Sequence, residues 1–153
     1  DVVKNSFKEA YDEIDKNFNY MCKEILNNSI GNLSLLDETD LLESGVELMV
    51  KFKNKKYQSL SLLSGGEKSM VAVALIMAIF MYKPSPFTFF DEIEAALDES
   101  NTKRLLRKLK EFTDRSQFIL ITHNKHTMKE SDQLYGVTMN KEIGESKILS
   151  VVL

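Results

Sequence analysis

The stretch Phe87-Thr88-Phe89-Phe90-Asp91-Glu92 is a short apolar run that ends on two acids. Two prolines stand just before it, at positions 84 and 86. The run predicts a strand that is apolar at every position, and such strands are typical of parallel sheets whose two faces are both covered. Ligands of open α/β sheets bind beyond the carboxyl ends of the strands. Asp91 and Glu92 are therefore candidate site residues.

Helices and strands alternate around this strand. The apolar run from Met70 to Tyr82 predicts a buried helix over residues 64–82, because its thirteen residues fall short of the roughly 20 that a membrane span needs. The alternation predicts an α/β fold with a largely parallel sheet flanked by helices. The elements predicted after the strand are a helix at Asn101–Phe112, a strand at Gln117–Ile121, a short helix at 125–130 and strands near 133–139 and 146–152.

The N-terminal residues 1–28 predict one helix, because their apolar residues form a single stripe with mostly heptad-like spacing. From this segment alone, packing on its own domain is favoured over a coiled-coil strand. Residues 31–62 predict short strands and turns, with strands at 33–36 and 46–52. The stripe consists of Val3, Phe7, Tyr11, Ile14, Phe18, Met21 and Ile25.

The composition fits one compact domain, since 43% of the 153 residues are hydrophobic. A net charge of -3 gives no overall attraction to nucleic acid, so DNA contact would need a local basic patch. The single cysteine, Cys22, excludes an intramolecular disulfide.

The segment Ser64-Gly65-Gly66-Glu67 precedes the apolar helix. Ser64 and Glu67 match a capping box, which needs no ligand. Glycines in a first helical turn also suit a site where something approaches the backbone closely, and a helix N-terminus attracts anions. These residues alone leave a simple cap and a phosphate site equally open.

The acidic pair can support metal-assisted hydrolysis. Asp91 can hold Mg²⁺, and Glu92 can orient and deprotonate a water. His123 ends the strand at 117–121 and is level with the acids in a parallel sheet, so it can reach the same ligand. Taken alone, an acidic pair more simply begins a loop, and a single histidine is more often structural.

The spacing of these residues is a more specific signal of function than any one of the motifs alone. Asp91 follows Ser64 by 27 residues, Asp98 follows Asp91 by seven, and His123 follows Glu92 by 31. The order resembles the signature motif, Walker B motif, D-loop and switch histidine of ABC-type ATPases. The residues within and around these motifs resemble those of the C-terminal head lobes of SMC (structural maintenance of chromosomes) proteins. The resembling segments are Leu63-Ser64-Gly65-Gly66-Glu67-Lys68, Pro86-Phe87, Asp91-Glu92-Ile93, Ala95-Ala96-Leu97-Asp98, Gln117-Phe118-Ile119, Thr122-His123-Asn124-Lys125 and Leu134-Tyr135-Gly136-Val137-Thr138-Met139.

The sequence departs from the SMC pattern in a few places. Glu94 stands where SMC proteins usually have Asp, and we assign it no chemistry. The phosphate-binding pattern Gly-x-x-x-x-Gly-Lys-Ser/Thr is absent from the sequence. In SMC proteins that loop lies in an N-terminal lobe, beyond a long coiled coil. The resemblance thus implies a piece of a longer polypeptide, with residues 1–28 ending a coiled coil and 29–153 forming the C-terminal lobe of an ATPase head.

The resemblance also implies roles for residues. Asp91 would hold Mg²⁺, Glu92 would activate water, and His123 would contact the γ-phosphate of ATP. The implied partners are the N-terminal P-loop lobe, a second SMC head, a kleisin subunit and, through the assembled complex, DNA, with no membrane. Localisation would be cytoplasmic and nucleoid-associated in a prokaryote, or nuclear in a eukaryote. The residues implied to bind the ATP of the opposite head, or to lie at the head interface, are Ser64, Gly65, Gly66, Glu67 and Asp98.

Two alternatives stay open. The chain could belong to another ABC-type ATPase of DNA repair or recombination, or it could act chiefly as a kleisin-docking module. A basic cluster on the helix after Asp98 is more simply a solvated face than a DNA patch. Its members are Lys103, Arg104, Arg107, Lys108 and Lys110.

Overall fold

A computed structural model of the chain describes residues 2–37, 39–141 and 143–152. Helices and strands alternate over much of this length, as the sequence predicts. A 3₁₀ turn at Leu60–Leu62 precedes the second helix. The elements in chain order are α1 (Val2–Ile25), β1 (Ile30–Leu35), β2 (Val46–Lys51), β3 (Gln58–Ser59), α2 (Gly65–Tyr82), β4 (Phe87–Asp91), α3 (Glu99–Lys110), β5 (Gln117–Ile121), α4 (Lys125–Glu130), β6 (Gln133–Asn140) and β7 (Glu145–Val152).

Helix α1 ends where two asparagines adopt left-handed backbone angles. Asn27 and Asn28 have φ of 54° and 59°, and asparagine tolerates this conformation at helix ends. The chain then turns into β1, which pairs antiparallel with β2, and β2 pairs antiparallel with the short β3. The Tyr11 hydroxyl donates to the Leu33 carbonyl oxygen at 2.8 Å, which holds α1 across β1.

Burial increases along the apolar stripe of α1. Phe18, Met21 and Ile25 are buried in the core, whereas Val3 is largely exposed. The C-terminal half of the helix therefore packs on its own domain, whereas Phe7 and Tyr11 are half-buried and Val3 is uncovered. The prediction of one long helix is confirmed, with its end at Ile25.

Helix α2 lies in the centre of the core. Its length and composition would also allow a membrane span, but Val71, Ala74, Met77 and Ala78 are fully buried within the domain. Near the end of α2, the Phe80 ring contacts the ring of Phe112, just after α3, at 5.5 Å between centroids and that of Phe118 on β5 at 5.3 Å. Core packing therefore explains the apolar residues on this face of α2, whereas Ile76 and Ile79 are each 46% exposed.

At Gly31, β1 passes close to α1. A Cβ atom there would lie 2.5 Å from Cys22 Sγ and 2.8 Å from Phe18 Cε1, and both side chains are fully buried. Burial also raises the pKa of the Cys22 thiol to about 12, as expected for a packed rather than a reactive thiol.

We expect Gly31→Ala to destabilise the chain by about 1–3 kcal/mol, because overpacked cores shift at that cost. Gly45→Ala is the matched control, since its nearest neighbour is Cδ1 of the exposed Leu36 side chain, which can rotate away. Denaturant unfolding of both variants measures the difference. Equal stability of the two variants would contradict the close approach at Gly31.

Strands β4 and β5 pair in parallel, with Asp91 opposite Ile121 at their carboxyl ends. The parallel pairing is confirmed, but the prediction that both faces of β4 are covered is wrong for the described residues. Phe90 faces the core, and its ring stacks on that of Phe118 at 6.1 Å. The opposite face is uncovered because no described element packs over it. Its exposed residues are Phe87, Phe89, Ile119 and Ile121.

The α/β fold is confirmed, but the prediction of a largely parallel sheet is wrong for the described residues. Their strands form three small sheets, and β4 with β5 is the parallel pair. Strands β6 and β7 pair antiparallel because only four residues, 141–144, connect them. A parallel pair needs a crossover of a dozen or more residues, so this short connection dictates a hairpin.

Candidate functional site

The acidic pair lies at the carboxyl edge of the parallel strands, as predicted. The Glu92 amide donates to the Ile121 carbonyl oxygen at 2.9 Å, which continues the β4–β5 ladder by one bond. Glu92 has a φ of 46°. A left-handed backbone at a residue other than glycine is strained, and such strain concentrates at functional sites. The turn directs the chain away from the sheet immediately after Asp91.

Glu92 and His123 meet across this edge. Nδ1 of His123 lies 3.0 Å from Oε1 of Glu92, and the two side chains are 80% and 53% exposed. The carboxyl ends of neighbouring parallel strands lie side by side, which brings the residue after β4 next to the residues after β5. The predicted proximity of His123 to the acids is confirmed for Glu92.

Asp91 is exposed, and among the described residues its carboxylate has neither a hydrogen bond nor an ion pair. No group of three or more His, Cys, Asp or Glu side chains in that part of the chain could hold a metal. Magnesium sites that also use substrate phosphates need only one or two protein carboxylates. A single free carboxylate therefore fits Mg²⁺ bound together with a nucleotide.

Ser64 begins α2 with a complete capping box. The Ser64 hydroxyl accepts from the Glu67 amide at 3.4 Å, and the Ser64 amide donates to Glu67 Oε2 at 3.1 Å. Lys55 Nζ donates to Glu67 Oε1 at 2.7 Å. The bond from Lys55, followed by those from Ser64, lowers the pKa of the Glu67 carboxyl to about 2. Glu67 therefore stays ionised at neutral pH, and its carboxylate accepts hydrogen bonds from Ser64 and Lys55.

The two glycines after Ser64 have no packing role among the described residues. A Cβ at Gly65 or Gly66 would meet no described atom within 4 Å. Each costs the helix about 1 kcal/mol relative to alanine. The contacts of the described residues therefore give no reason for glycine at these positions.

Asp98 is the N-cap of α3, and its Oδ1 accepts from the Asn101 amide at 2.7 Å. Capping alone accounts for an aspartate at this position. The side chain stays exposed, so the cap leaves it accessible to a partner.

The candidate residues form three groups. Glu92 and His123 are in contact beside Asp91, Ser64 and Glu67 form a separate group, and Asp98 bonds to its own helix. Within the described ranges, no hydrogen bond or ion pair connects these groups. A single copy of this chain therefore does not bring all the candidate residues together through direct contacts.

Glu94, to which the sequence prediction gives no role, is a buried acid in the loop after β4. It is only 5% exposed, and it accepts hydrogen bonds from Thr122 Oγ1 and from Thr127 Oγ1, the latter at 2.9 Å. Its carboxylate thus joins the loop after β4 to the loop after β5. The sequence does carry a signal of this burial. Glu94 stands between Ile93 and two alanines, and apolar neighbours favour burial.

The basic cluster of α3 is mostly neutralised. Lys103 pairs with Glu99 at 2.6 Å, and Lys110 pairs with Glu130 at 2.5 Å. Such exposed pairs contribute little to stability, but they reduce the positive potential that a DNA patch would need. Both lysines are exposed and paired, as a solvated face predicts, and DNA contact through them stays untested.

Lys108 does not belong to a solvated face, and that part of the prediction is wrong. Its side chain is 2% exposed and donates to Glu111 at 2.8 Å, to Tyr20 at 2.8 Å and to Glu24 at 3.0 Å. Burial by itself lowers the pKa of the Lys108 ammonium, but the bonds with Glu111, Tyr20 and Glu24 outweigh it and raise that pKa. The residue joins α3 to α1.

Comparisons with known proteins agree with the motifs. The model of the family described as RecF/RecN/SMC N terminal domain matches residues 4–145. The chromosome partition protein Smc of Fusobacterium nucleatum is 67% identical over 148 residues, which are 97% of this chain. That of Bacillus subtilis is 45% identical over 147 residues, or 96% of this chain. The chain spans 12% of the length of each of these relatives.

Solved structures show the same fold. A chain solved in work on ATP-driven dimerization and DNA stimulated activation of SMC ATPases has a TM-score of 0.87 at 34% identity, covering 97% of this chain and 89% of its own. The Smc head domain of Pyrococcus furiosus, bound to the C-terminal domain of ScpA, has a TM-score of 0.88 at 36% identity, covering 97% of this chain and 37% of its own. By its match to the family model and by its head-domain fold, the chain belongs to the SMC protein family.

Proposed function

We propose that this chain is the C-terminal lobe of an SMC ATPase head and supplies half of a composite site for ATP hydrolysis. The main support for this proposal is the contact between Glu92 and His123 at the edge of the sheet where Asp91 ends β4. The description of the matching family model names an N-terminal domain. The lobe assignment therefore rests on the motif order and on the absent phosphate-binding pattern.

Three residues would act on the ATP bound to the same head. Mg²⁺, when bound, neutralises charge on the phosphates, and Asp91 would hold it directly or through water. Glu92 would orient the attacking water and accept its proton. His123 would contact the γ-phosphate from the adjacent loop. Catalysis of this kind depends mainly on positioning and charge stabilisation.

Ser64, Gly65 and Gly66 would contact the ATP of a second head. The bare amides at the start of α2 and the serine hydroxyl suit a phosphate. Glycines without a packing role in this chain leave room for a partner to approach. Glu67 would contribute by holding Ser64, since Ser64 and Lys55 already engage its carboxylate. The exposed Asp98 would lie at the interface between the heads.

The N-terminal P-loop lobe would cover the apolar face of β4 and β5. Phe89 is 62% exposed on that face, an unusual state for large side chains on a parallel pair. The exposed stripe at the start of α1 would likewise pair with a second helix, with residues 1–28 ending a coiled coil and 29–153 forming the lobe.

The larger assembly would act in chromosome organisation, condensation and segregation. The relatives are named chromosome partition proteins, and the Pyrococcus furiosus head is bound to part of ScpA. We extend this to a kleisin partner, to DNA contact through the complex and to a cytoplasmic, nucleoid-associated location. A lobe acting chiefly as a kleisin-docking module, or as part of a repair or recombination ATPase, is the alternative.

An ATPase assay separates the composite site from a docking module. We expect no ATP hydrolysis from the purified chain, because it lacks the phosphate-binding loop. Adding the N-terminal lobe of the same polypeptide should restore Mg²⁺-dependent hydrolysis, and Asp91→Ala in the mixture should remove it. Turnover by the chain alone, or none from the mixture, would contradict the composite site.

A further inference from the structure

We propose that Glu94 is a positioning residue that fixes His123 beside Glu92 by tying together the loops that carry them. This inference rests on the proposed ATPase function. Glu92 lies two residues before Glu94 in the loop after β4. Both residues that donate to the Glu94 carboxylate lie in or beyond the loop that carries His123.

The bonds of Glu94 hold the chain on both sides of His123. Thr122, the residue directly before the histidine, donates its hydroxyl to Glu94 Oε1. Thr127, four residues after it in α4, donates to the same oxygen at 2.9 Å and is 1% exposed. Thr122 Oγ1 also accepts from the Asn124 amide at 2.9 Å. The backbone at His123 is thus held from the residue before it and from the residue after it.

The imidazole itself has little else to hold it. Among the described residues, the hydrogen-bond and ion-pair contacts of His123 are limited to the exposed Glu92 carboxylate. Exposed pairs of this kind are weak. The ring must therefore be placed by its backbone, and Glu94 is the buried group that ties this backbone to the loop of Glu92.

Two substitutions of Glu94 test the role of its hydrogen bonds to the threonines. Glu94→Met keeps the length of the side chain and removes its acceptor, whereas Glu94→Gln keeps one oxygen for the two threonines. In the full-length protein, we expect Glu94→Met to lower kcat for ATP hydrolysis by roughly 10–100-fold with KM within about twofold, since small misplacements of catalytic groups have such effects. Glu94→Gln should retain most of the activity.

A double-mutant cycle separates positioning from general damage. If Glu94 acts through His123, adding Glu94→Met to His123→Ala should cause no further fall in kcat. A structural defect would lower kcat by the same factor in both backgrounds, and that result would overturn the proposal. Thr127→Val removes a bond to Glu94 with little change of shape, and it replaces Glu94→Met in the cycle if that variant does not fold.

A second measurement does not depend on hydrolysis. In the full-length protein with isotope-labelled histidine, Glu94→Met should shift or broaden the ring signal of His123 and leave a well-folded spectrum elsewhere. An unchanged His123 signal would overturn the positioning role. Absence of hydrolysis by the unmutated protein would instead defeat the proposed function, and the ring signal would still decide the role of Glu94.

Discussion

Glu92→Gln should leave a completed head able to bind ATP and to dimerise, while ATP hydrolysis falls by about 10²–10⁴-fold, the usual contribution of a positioned general base. Glutamine has the shape of glutamate and can still orient a water, but it does not accept the proton. It also removes a negative charge beside the γ-phosphate. Dimers formed with ATP should therefore persist longer than those of the unmutated head.

Asp91→Ala is the matched control for this result. It removes the carboxylate that would hold Mg²⁺, so nucleotide binding itself should weaken and dimers should not form. Hydrolysis rate and dimer lifetime are measured for both variants under the same conditions. Hydrolysis by Glu92→Gln at near the unmutated rate would exclude Glu92 as the base.

Ser64→Arg should abolish ATP-driven dimerisation of the heads while leaving ATP binding within one head unchanged. The arginine would fill the space meant for the γ-phosphate on the partner head. Loss of the N-cap should reduce stability by about 1 kcal/mol, which the fold can tolerate. Gel filtration with and without ATP measures the association.

Ser6→Arg provides the control for added charge, since Ser6 is exposed and lies on α1 rather than at the start of α2. We expect this variant to dimerise normally with ATP. If Ser64→Arg also dimerises normally, Ser64 serves only as a helix cap.

Local patterns predicted the elements around the site well. The capping box at Ser64 fixes the start of α2, and the apolar strand at 87–91 pairs in parallel with 117–121. That pairing brings the loops that carry Glu92 and His123 side by side, because the register sets Asp91 opposite Ile121. The core of the site could therefore be derived from strand pattern and spacing.

Features that depend on tertiary contacts could not be derived in the same way. The apolar pattern of β4 predicts that both of its faces are buried. The pattern does not show whether the residues that bury them belong to this chain. Lys108 has the sequence context of a solvated lysine, yet Glu24 and Tyr20, distant in sequence, surround it. Glu94 likewise takes its role from Thr122 and Thr127, which lie beyond α3.

The most direct measurement for the composite site is a crystal structure of the completed Glu92→Gln head with Mg²⁺ and ATP. We expect two heads with two nucleotides between them. Ser64 Oγ of one head should lie about 2.5–3.0 Å from a γ-phosphate oxygen bound to the other, the distance of an O–H···O hydrogen bond. Nucleotide held by one head alone, with Ser64 out of contact with any phosphate, would contradict the proposal.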